Sequence, residues 1–295
     1  MKTLIKVLWI IFIIISALSL ALIFIGLNTP ETFDKLANKT VYDFIGSFVG
    51  FVTILLVIIS FLKQNIENSK SKIENHFFKM LDFHNENVKA LTVKHIKDDY
   101  DETVLGRRAF VIFRLQLIKL LEIVEKINVE LDLKLKKTNI IDIAYISFYY
   151  GIDDAWKDYL IKKLKRYKRS KEIVTKLIES KTKIIEEEKT NIGRTNQTSL
   201  SVYFRNMYNA IKFIDNNEIL DKKEKENYIK IFRAQLSNPE LYIIFLNVVS
   251  RFGKKWKDNN YIENYEYLKN IPFDYCDKYP PKEFYKMKYE EGEIE

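Results

Sequence analysis

Few side chains in this 295-residue chain could carry acid–base or metal chemistry, because it holds three histidines and one cysteine. A lone cysteine, Cys276, cannot build a disulfide framework or a cysteine-based zinc site. Among the histidines, His84 lies on an apolar helical stripe beside Asn85, where it could act as a general base. The same position suits a histidine packed in the core, and we prefer that interpretation.

Four polar residues stand beside strongly apolar stripes on three successive predicted helices: Arg205, Arg233, Gln235 and Asn247. Polar groups at the edge of a core must find hydrogen-bond partners. We therefore predict a shared polar network that fixes how these helices pack, and a ligand pocket is the alternative. Arg205, like His84, is a candidate catalytic residue.

Seven of the ten residues from 162 to 171 are basic, in a chain with 48 basic and 40 acidic side chains. Such a cluster attracts phosphates, on lipid headgroups or on nucleic acid. A solvated helix face is the simpler interpretation, and nucleic acid is the less favoured partner. The candidates for contact with an anionic membrane surface are Lys162, Lys163, Lys165, Arg166, Lys168 and Arg169.

One acidic run could bind a divalent cation through Asp98, Asp99, Asp101 and Glu102, but a solvated turn is the simpler interpretation. The chain contains no P-loop, no Rossmann glycine fingerprint and no nucleophile elbow. We therefore expect no metal site and no cofactor, and the sequence favours a non-enzymatic protein over an enzyme.

These residues follow two N-terminal apolar runs, Val7–Leu27 and Phe44–Leu62, that hold no charged residue. About 20 apolar residues are what a helix needs to cross a hydrocarbon core of about 30 Å. The first run is longer than the apolar core of a cleaved signal peptide. The sequence therefore predicts a transmembrane hairpin over residues 1–62, with helices at about 4–27 and 41–62.

The distribution of lysines predicts the direction of this hairpin. The loop from Asn28 to Asp43 holds only Lys35 and Lys39, alongside acidic residues. More lysines flank the other two ends of the runs, namely Lys2, Lys6, Lys63, Lys70, Lys72 and Lys79. Because basic residues stay on the cytoplasmic side, we expect a two-pass membrane protein with both termini in the cytoplasm.

Gly46 and Gly50 form a small-residue motif on one face of the second run. Glycines at this spacing let another helix approach closely. The partner could be the first helix of the same hairpin or a second copy of the chain, so a homo-oligomer formed through the hairpin is one prediction.

Beyond Lys63 the apolar residues recur at helical spacing, while glycine (8) and proline (5) are scarce. We find no sustained alternation of period 2. The sequence therefore predicts an all-α protein, in which the two-helix transmembrane hairpin is followed by a cytoplasmic multi-helix bundle over 63–270. An irregular C-terminal tail is expected over 271–295.

Local signals place the boundaries inside this bundle. A polar stretch, Lys97–Thr103, predicts a turn, and Asp153 or Asp154 is expected to cap a helix that runs to about Glu188. Asp221 is expected to cap a later helix. The remaining predictions are a helix opened by Asn238-Pro239 and closed by Gly253, and a last helix from about Asn260 to Lys269.

Several segments resemble the putative phage abortive infection family, the AbiC-like proteins. The resemblance covers most of the chain and is strongest near its C-terminal end. The residues that carry it are His76-Phe-Phe-Lys-Met-Leu-Asp-Phe-His-Asn85, Gly106-Arg-Arg-Ala-Phe110, Leu200-Ser-Val-Tyr-Phe-Arg-Asn-Met-Tyr208, Phe232-Arg-Ala-Gln-Leu-Ser-Asn-Pro-Glu-Leu241, Phe245-Leu-Asn247 and Phe252-Gly253. It implies bacterial defence against phage and supplies no catalytic residue.

The leading hypothesis is a membrane-anchored defence protein whose cytoplasmic domain senses a phage-derived trigger, while the hairpin anchors it or acts as effector. One alternative is a helical ribonuclease, since abortive-infection nucleases carry an Arg-x4–6-His motif. Arg205 supplies the arginine, but no histidine stands at positions 209–212. The other alternative is a non-enzymatic scaffold that recruits a separate effector.

Overall fold

The computed structural model describes residues 2–28, 40–97, 100–188, 192–276 and 278–290. The chain divides into two compact units, Met1–His76 and Phe77–Glu295. It is mostly helical, as the sequence predicted.

Two helices begin the chain, α1 over Lys2–Asn28 and α2 over Thr40–Lys89. Within the described residues, one helix is long and apolar enough to cross a membrane by length and composition, Gly46–Lys89, and the apolar stretch found in α1 is the shorter Ile5–Ser19. The two-pass hairpin therefore stays a prediction. Its loop lies largely outside the described residues.

The second unit holds a β-hairpin that the sequence analysis predicted wrongly as a turn. Strand β1, Thr92–Lys97, pairs antiparallel with β2, Tyr100–Leu105, so that Thr92 lies opposite Leu105. Strands of six residues, with charges mixed among the threonines and valines, are too short for a sustained alternation to be recognised. Asp98 and Asp99 fall outside the described residues, and Asp101 and Glu102 stand in β2.

The rest of the second unit is helical. A 3₁₀ turn at Gly106–Arg108 leads into α3, and further 3₁₀ turns lie at Asp154–Trp156, Arg251–Gly253, Phe273–Tyr275 and Pro281–Glu283. The helices are α3 Ala109–Glu130, α4 Lys137–Tyr150, α5 Lys157–Leu164, α6 Ser170–Glu188, α7 Gln197–Asp215, α8 Lys222–Arg233, α9 Asn238–Val249, α10 Lys254–Asp258 and α11 Tyr261–Asn264.

The core forms where α3, α4 and α9 pack together. Ten consecutive residues are buried in α4, from Ile140 to Tyr149, and ten in α9, from Glu240 to Val249. A helix buried on all sides has little amphipathic pattern, which explains why these two runs are mostly apolar on every face. The two central helices thereby fix the positions of the more polar helices around them.

Two predicted helices are interrupted or shortened in the structure. The helix expected to run from Asp153 or Asp154 to Glu188 is interrupted between α5 and α6, where Arg169 takes a positive φ of 58°. A side chain tolerates that backbone conformation poorly, so the helix must break there. The last predicted helix is reduced to α11, and Glu266 beyond it also has a positive φ, 46°.

Helix α9 begins at Asn238, where the sequence predicted it to open, and its N-cap is the preceding residue. Ser237 is its N-cap, and the backbone N–H and hydroxyl of Ser237 both donate to the Glu240 carboxylate, at 2.8 and 2.6 Å. The helix ends at Val249 rather than Gly253. A Cβ at Gly253 would lie 2.0 Å from the Val248 carbonyl oxygen, so this glycine is required by a close backbone approach just after the helix. Asp221 caps α8, as predicted.

Candidate functional site

An open cavity of about 630 Å³ lies in the second unit, where α7 faces the C-terminal ends of α4 and α9 and the start of α10. Its lining residues are aromatic, basic or uncharged polar, and none is acidic. They are Tyr149, Gln197, Ser201, Phe204, Arg205, Tyr208, Asn209, Lys212, Asn247, Phe252, Lys255 and Trp256.

Helix α7 supplies most of this wall because of its period. Its buried stripe holds Leu200, Tyr203 and Met207 and continues through Ile211 to Ile214. Residues three and four apart share a helix face. The positions next to the buried stripe, from Gln197 through Arg205 to Lys212, therefore form a second face that lines the cavity.

Three cations line the cavity without a carboxylate partner among the described residues: Arg205, Lys212 and Lys255. All three side chains are exposed. The Arg205 Nε donates to the backbone oxygen of Ser201 at 3.1 Å, which holds the guanidinium along its own helix. Arg251 of the same unit is by contrast compensated, since its Nη2 lies 2.7 Å from Asp142 Oδ2.

Aromatic rings form the rest of the wall. The Tyr208 ring meets the buried Trp256 edge-on at 5.9 Å between centroids, and the Lys255 ammonium lies 5.8 Å from the Tyr208 ring centroid. The Tyr149 ring packs on Phe252 at 4.7 Å. Burial and the neighbouring Tyr150 raise the pKa of Tyr149, which keeps its phenol neutral at physiological pH. The cavity thus combines positive charge with flat apolar surfaces.

Asn247 contributes a fixed amide to this site. It is 4% exposed, and its Nδ2 donates to the Tyr145 hydroxyl at 2.9 Å. A buried polar side chain held by a second polar group keeps one orientation. Asn247 is therefore a rigid polar element in the wall of the cavity.

The four residues predicted to share one network are divided by the structure. Arg205 and Asn247 line the same cavity. Arg233 instead donates through Nη1 to the backbone oxygen of Glu266 at 2.5 Å, and the Gln235 backbone oxygen accepts from Arg107 at 2.9 Å. Two of the four residues, Arg205 and Asn247, therefore share a pocket. Arg233 and Gln235 instead form hydrogen bonds that join loops to neighbouring elements.

His84 is fully buried, between the rings of Tyr203 and Phe232 at 4.9 Å each. Neither of its ring nitrogens has a hydrogen-bond partner in the described part of the chain. Burial, assisted by the positive charge of Arg107, lowers the pKa of His84 to about 4. The imidazole is neutral at pH 7 and packs as a core side chain, which is the interpretation that we preferred from the sequence.

The basic run from 162 to 171 is not uniform. Arg166 pairs with Asp142 at 2.7 Å, and Arg169 pairs with Glu172 and donates to the backbone oxygen of Leu131. Lys163 lies over the rings of Tyr150 and Tyr159. The exposed members with no ion pair to any described residue are Lys162, Lys165, Lys168 and Lys171.

Two buried carboxylates were missed by the sequence analysis. Asp142 accepts from Arg251, Arg166 and Tyr167. Glu240, fully buried, lies 3.2 Å from Arg107 Nε. A signal existed for each, because Asp142 is the single charge in an apolar run, and Glu240 stands three residues after Ser237, the pattern of a capping box.

The fold defines a mainly helical domain with a basic and aromatic cavity, joined to an apolar N-terminal unit. Residues 195–276 match the family model described as putative phage abortive infection protein, which confirms the resemblance. All the cavity-lining residues except Tyr149 fall inside this matched range. Comparisons with curated proteins and with solved structures found no match to the chain.

Proposed function

We propose that this chain is a membrane-anchored phage-defence protein, in which the second unit senses infection and the first unit holds it at the bacterial inner membrane. One observation supports the sensing role: the residues that match the family model also form nearly all of the cavity wall. A segment shared within a defence family forms nearly the whole wall of an open, charged cavity. A site that detects a product of infection belongs in such a place.

The anchoring role rests on the two apolar runs. In the sequence, Val7–Leu27 and Phe44–Leu62 are uncharged runs of about the length that a helix needs to span a bilayer, and among the described residues the helix Gly46–Lys89 meets that requirement. The lysine distribution favours a two-pass arrangement with both termini in the cytoplasm. The exposed Lys162, Lys165 and Lys168 could then contact anionic lipid headgroups, each contributing about 1 kcal/mol when close to the surface.

The hairpin is also a candidate effector. Beyond its chain neighbours and the adjacent backbone of its own helix, a Cβ added to Gly46 or Gly50 would meet no described atom within 4 Å. The small-residue face is therefore open to a helix of another copy, and a parallel pairing through it would cluster several hairpins. Clustered hairpins that disturb the membrane would end the infection by stopping growth of the host cell.

A phage challenge tests this function. It compares wild type, a deletion of residues 1–62, and Gly46→Leu/Gly50→Leu, with membrane potential followed over time and protein levels checked. Phe51→Leu/Ile58→Leu is the matched control, because it changes two exposed apolar positions of the same helix that lie away from the glycine face. We expect the deletion and the glycine variant to lose both protection and depolarisation, and the control to keep them.

The outcomes separate the alternatives. Full protection by the deletion variant would refute any role of the membrane unit. Protection with an unchanged membrane potential would refute the effector role of the hairpin and leave it as an anchor. Cleaved cellular or phage RNA, measured in the same cultures, would favour the ribonuclease, and a required neighbouring gene would favour the scaffold.

A further inference from the structure

We propose that the cavity beside α7 binds a nucleotide, with its phosphates on Arg205, Lys212 and Lys255 and its base against the aromatic wall. This inference deepens the proposed function, since it names the chemical class of ligand that the sensing site would take. It rests on three features of the cavity: uncompensated charge, half-buried aromatic rings and side-chain amides.

Uncompensated positive charge is the first feature of the cavity that favours a nucleotide. Three cations around one cavity repel one another, and no acidic residue lines it to offset that repulsion. The adjacent Lys254 shows the contrast, since its ammonium lies 2.6 Å from the Asp258 carboxylate on the same short helix. A ligand that carries two or more negative charges would relieve the repulsion at the cavity and would be held by it.

The kinds of cation suit phosphate. A guanidinium offers a planar fork of donors that matches two phosphate oxygens, whereas an ammonium acts as a point charge. Arg205 would supply the fork, because its Nε is already bonded to Ser201 and the side chain is thereby oriented. Lys212 and Lys255, from α7 and α10, would neutralise the remaining charge from two sides.

The aromatic wall argues against inorganic phosphate alone. Phe204 and Tyr208 stand four residues apart on α7, are half-buried and line the cavity. An exposed ring next to bound phosphate is a stacking surface for a base, worth roughly tenfold or more in affinity per stacked base. Gln197, Asn209 and Asn247 add amides that can both donate and accept at a base edge.

The size of the cavity suits a small ligand. Sites for small molecules typically enclose about 300–1,000 Å³, and this one measures about 630 Å³. A phospholipid would need a continuous apolar channel for its acyl chains. The mixture of rings, amides and cations described here instead fits one compact molecule with a flat polar ring system and phosphates.

Nucleotide binding can be measured on the full-length protein in detergent. The probes are the four ribonucleoside triphosphates in calorimetry, with inorganic phosphate, adenosine and a ladder of short RNA oligonucleotides as comparisons. We expect saturable binding of at least one triphosphate. Arg205→Met and Lys255→Met should each weaken that binding about tenfold or more, since a charge-assisted hydrogen bond is lost.

Two further variants keep the test specific. Lys254→Met removes the neighbouring, paired cation, and we expect it to bind within about twofold of wild type. Tyr208→Leu should weaken the triphosphate about tenfold, the size of one stacking contact, and leave inorganic phosphate unchanged. Thermal unfolding of each variant identifies any that fail to fold, and Lys212→Met then stands in as a second cavity variant.

Several results would overturn the inference. No saturable binding of any triphosphate would do so, as would equal losses in Lys254→Met and Lys255→Met. Affinity that increases steadily with oligonucleotide length would assign the surface to RNA instead. These outcomes are independent of the phage challenge, because a chain that protects and depolarises without binding a nucleotide keeps the proposed function and loses only this ligand.

Discussion

The buried carboxylate of Asp142 offers the sharpest test of how the second unit is held together. Its side chain is 2% exposed, and its Oδ2 lies 2.7 Å from Nη2 of Arg251 and 2.7 Å from Nη2 of Arg166. It also accepts the backbone N–H of Arg251 at 2.7 Å and the hydroxyl of Tyr167 at 2.6 Å. One side chain of α4 therefore bonds both to the segment between α5 and α6 and to the turn after α9.

The substitution Asp142→Asn keeps the shape and removes the charge, so no cavity term enters. Removing one partner of a fully buried ion pair costs about 3–5 kcal/mol. The two arginine side chains are 28% and 49% exposed and can turn partly to water, which reduces the expected cost to about 2–3 kcal/mol. In a domain of this size that corresponds to a decrease in Tm of about 5–10 °C.

Thermal unfolding of the full-length protein in detergent measures this shift, followed by tryptophan fluorescence. The matched control is Glu172→Gln, which removes the partner of Arg169 from a pair whose side chains are 44% and 51% exposed. An exposed pair contributes at most about 1 kcal/mol, so the control should shift Tm by no more than about 2–4 °C. If Asp142→Asn unfolds at the same temperature as the control, the carboxylate does not hold these elements together.

Three further predictions concern His84, Gly253 and the Arg107–Glu240 ion pair. The pKa of His84 is about 4 in the fold against 6.5 unfolded, so the unfolded state takes up the proton as pH falls. The free energy of unfolding should decrease by up to about 3 kcal/mol from pH 6.5 to 4, and pH-dependent denaturation of His84→Leu should lack that decrease. Gly253→Ala places a methyl group against the Val248 carbonyl, and we expect a loss of about 1–3 kcal/mol in chemical denaturation. Arg107→Met leaves the Glu240 carboxylate buried without its cation and should cost about 1–3 kcal/mol, whereas Glu240→Gln in the same background should recover part of that loss.

Local patterns in the sequence were sufficient for most of the helices. The stripe on α7 and the Asp221 cap predicted elements that the structure contains. Arg205 and Asn247 were identified because each stands beside an apolar stripe. Lys212 and Lys255 were not, because a solvent-facing lysine in a lysine-rich chain looks the same whether or not it borders a cavity. Only the tertiary packing of α7 against α10 distinguishes them.

Long-range pairs explain the boundaries that were predicted wrongly. Asp142 and Arg251 are 109 residues apart in the chain, and no local pattern links them. Their contact lies just after the end of α9. There Ser250 adopts an extended backbone, and the Arg251 N–H donates to the Asp142 carboxylate. The helix predicted to reach Gly253 stops at Val249 because this tertiary hydrogen bond replaces a helical one.

The location of positive charge in the fold, rather than its density in the sequence, decides which surface can bind an anion selectively. The run from 162 to 171 has the higher local count, yet its two arginines are occupied by Asp142 and Glu172. Its remaining exposed lysines lie on an open surface, where salt screens their attraction beyond about 10 Å. The cavity has fewer cations, but they surround one concave space together with rings and amides. High salt should therefore weaken lipid contact by the lysine run more than it weakens ligand binding in the cavity.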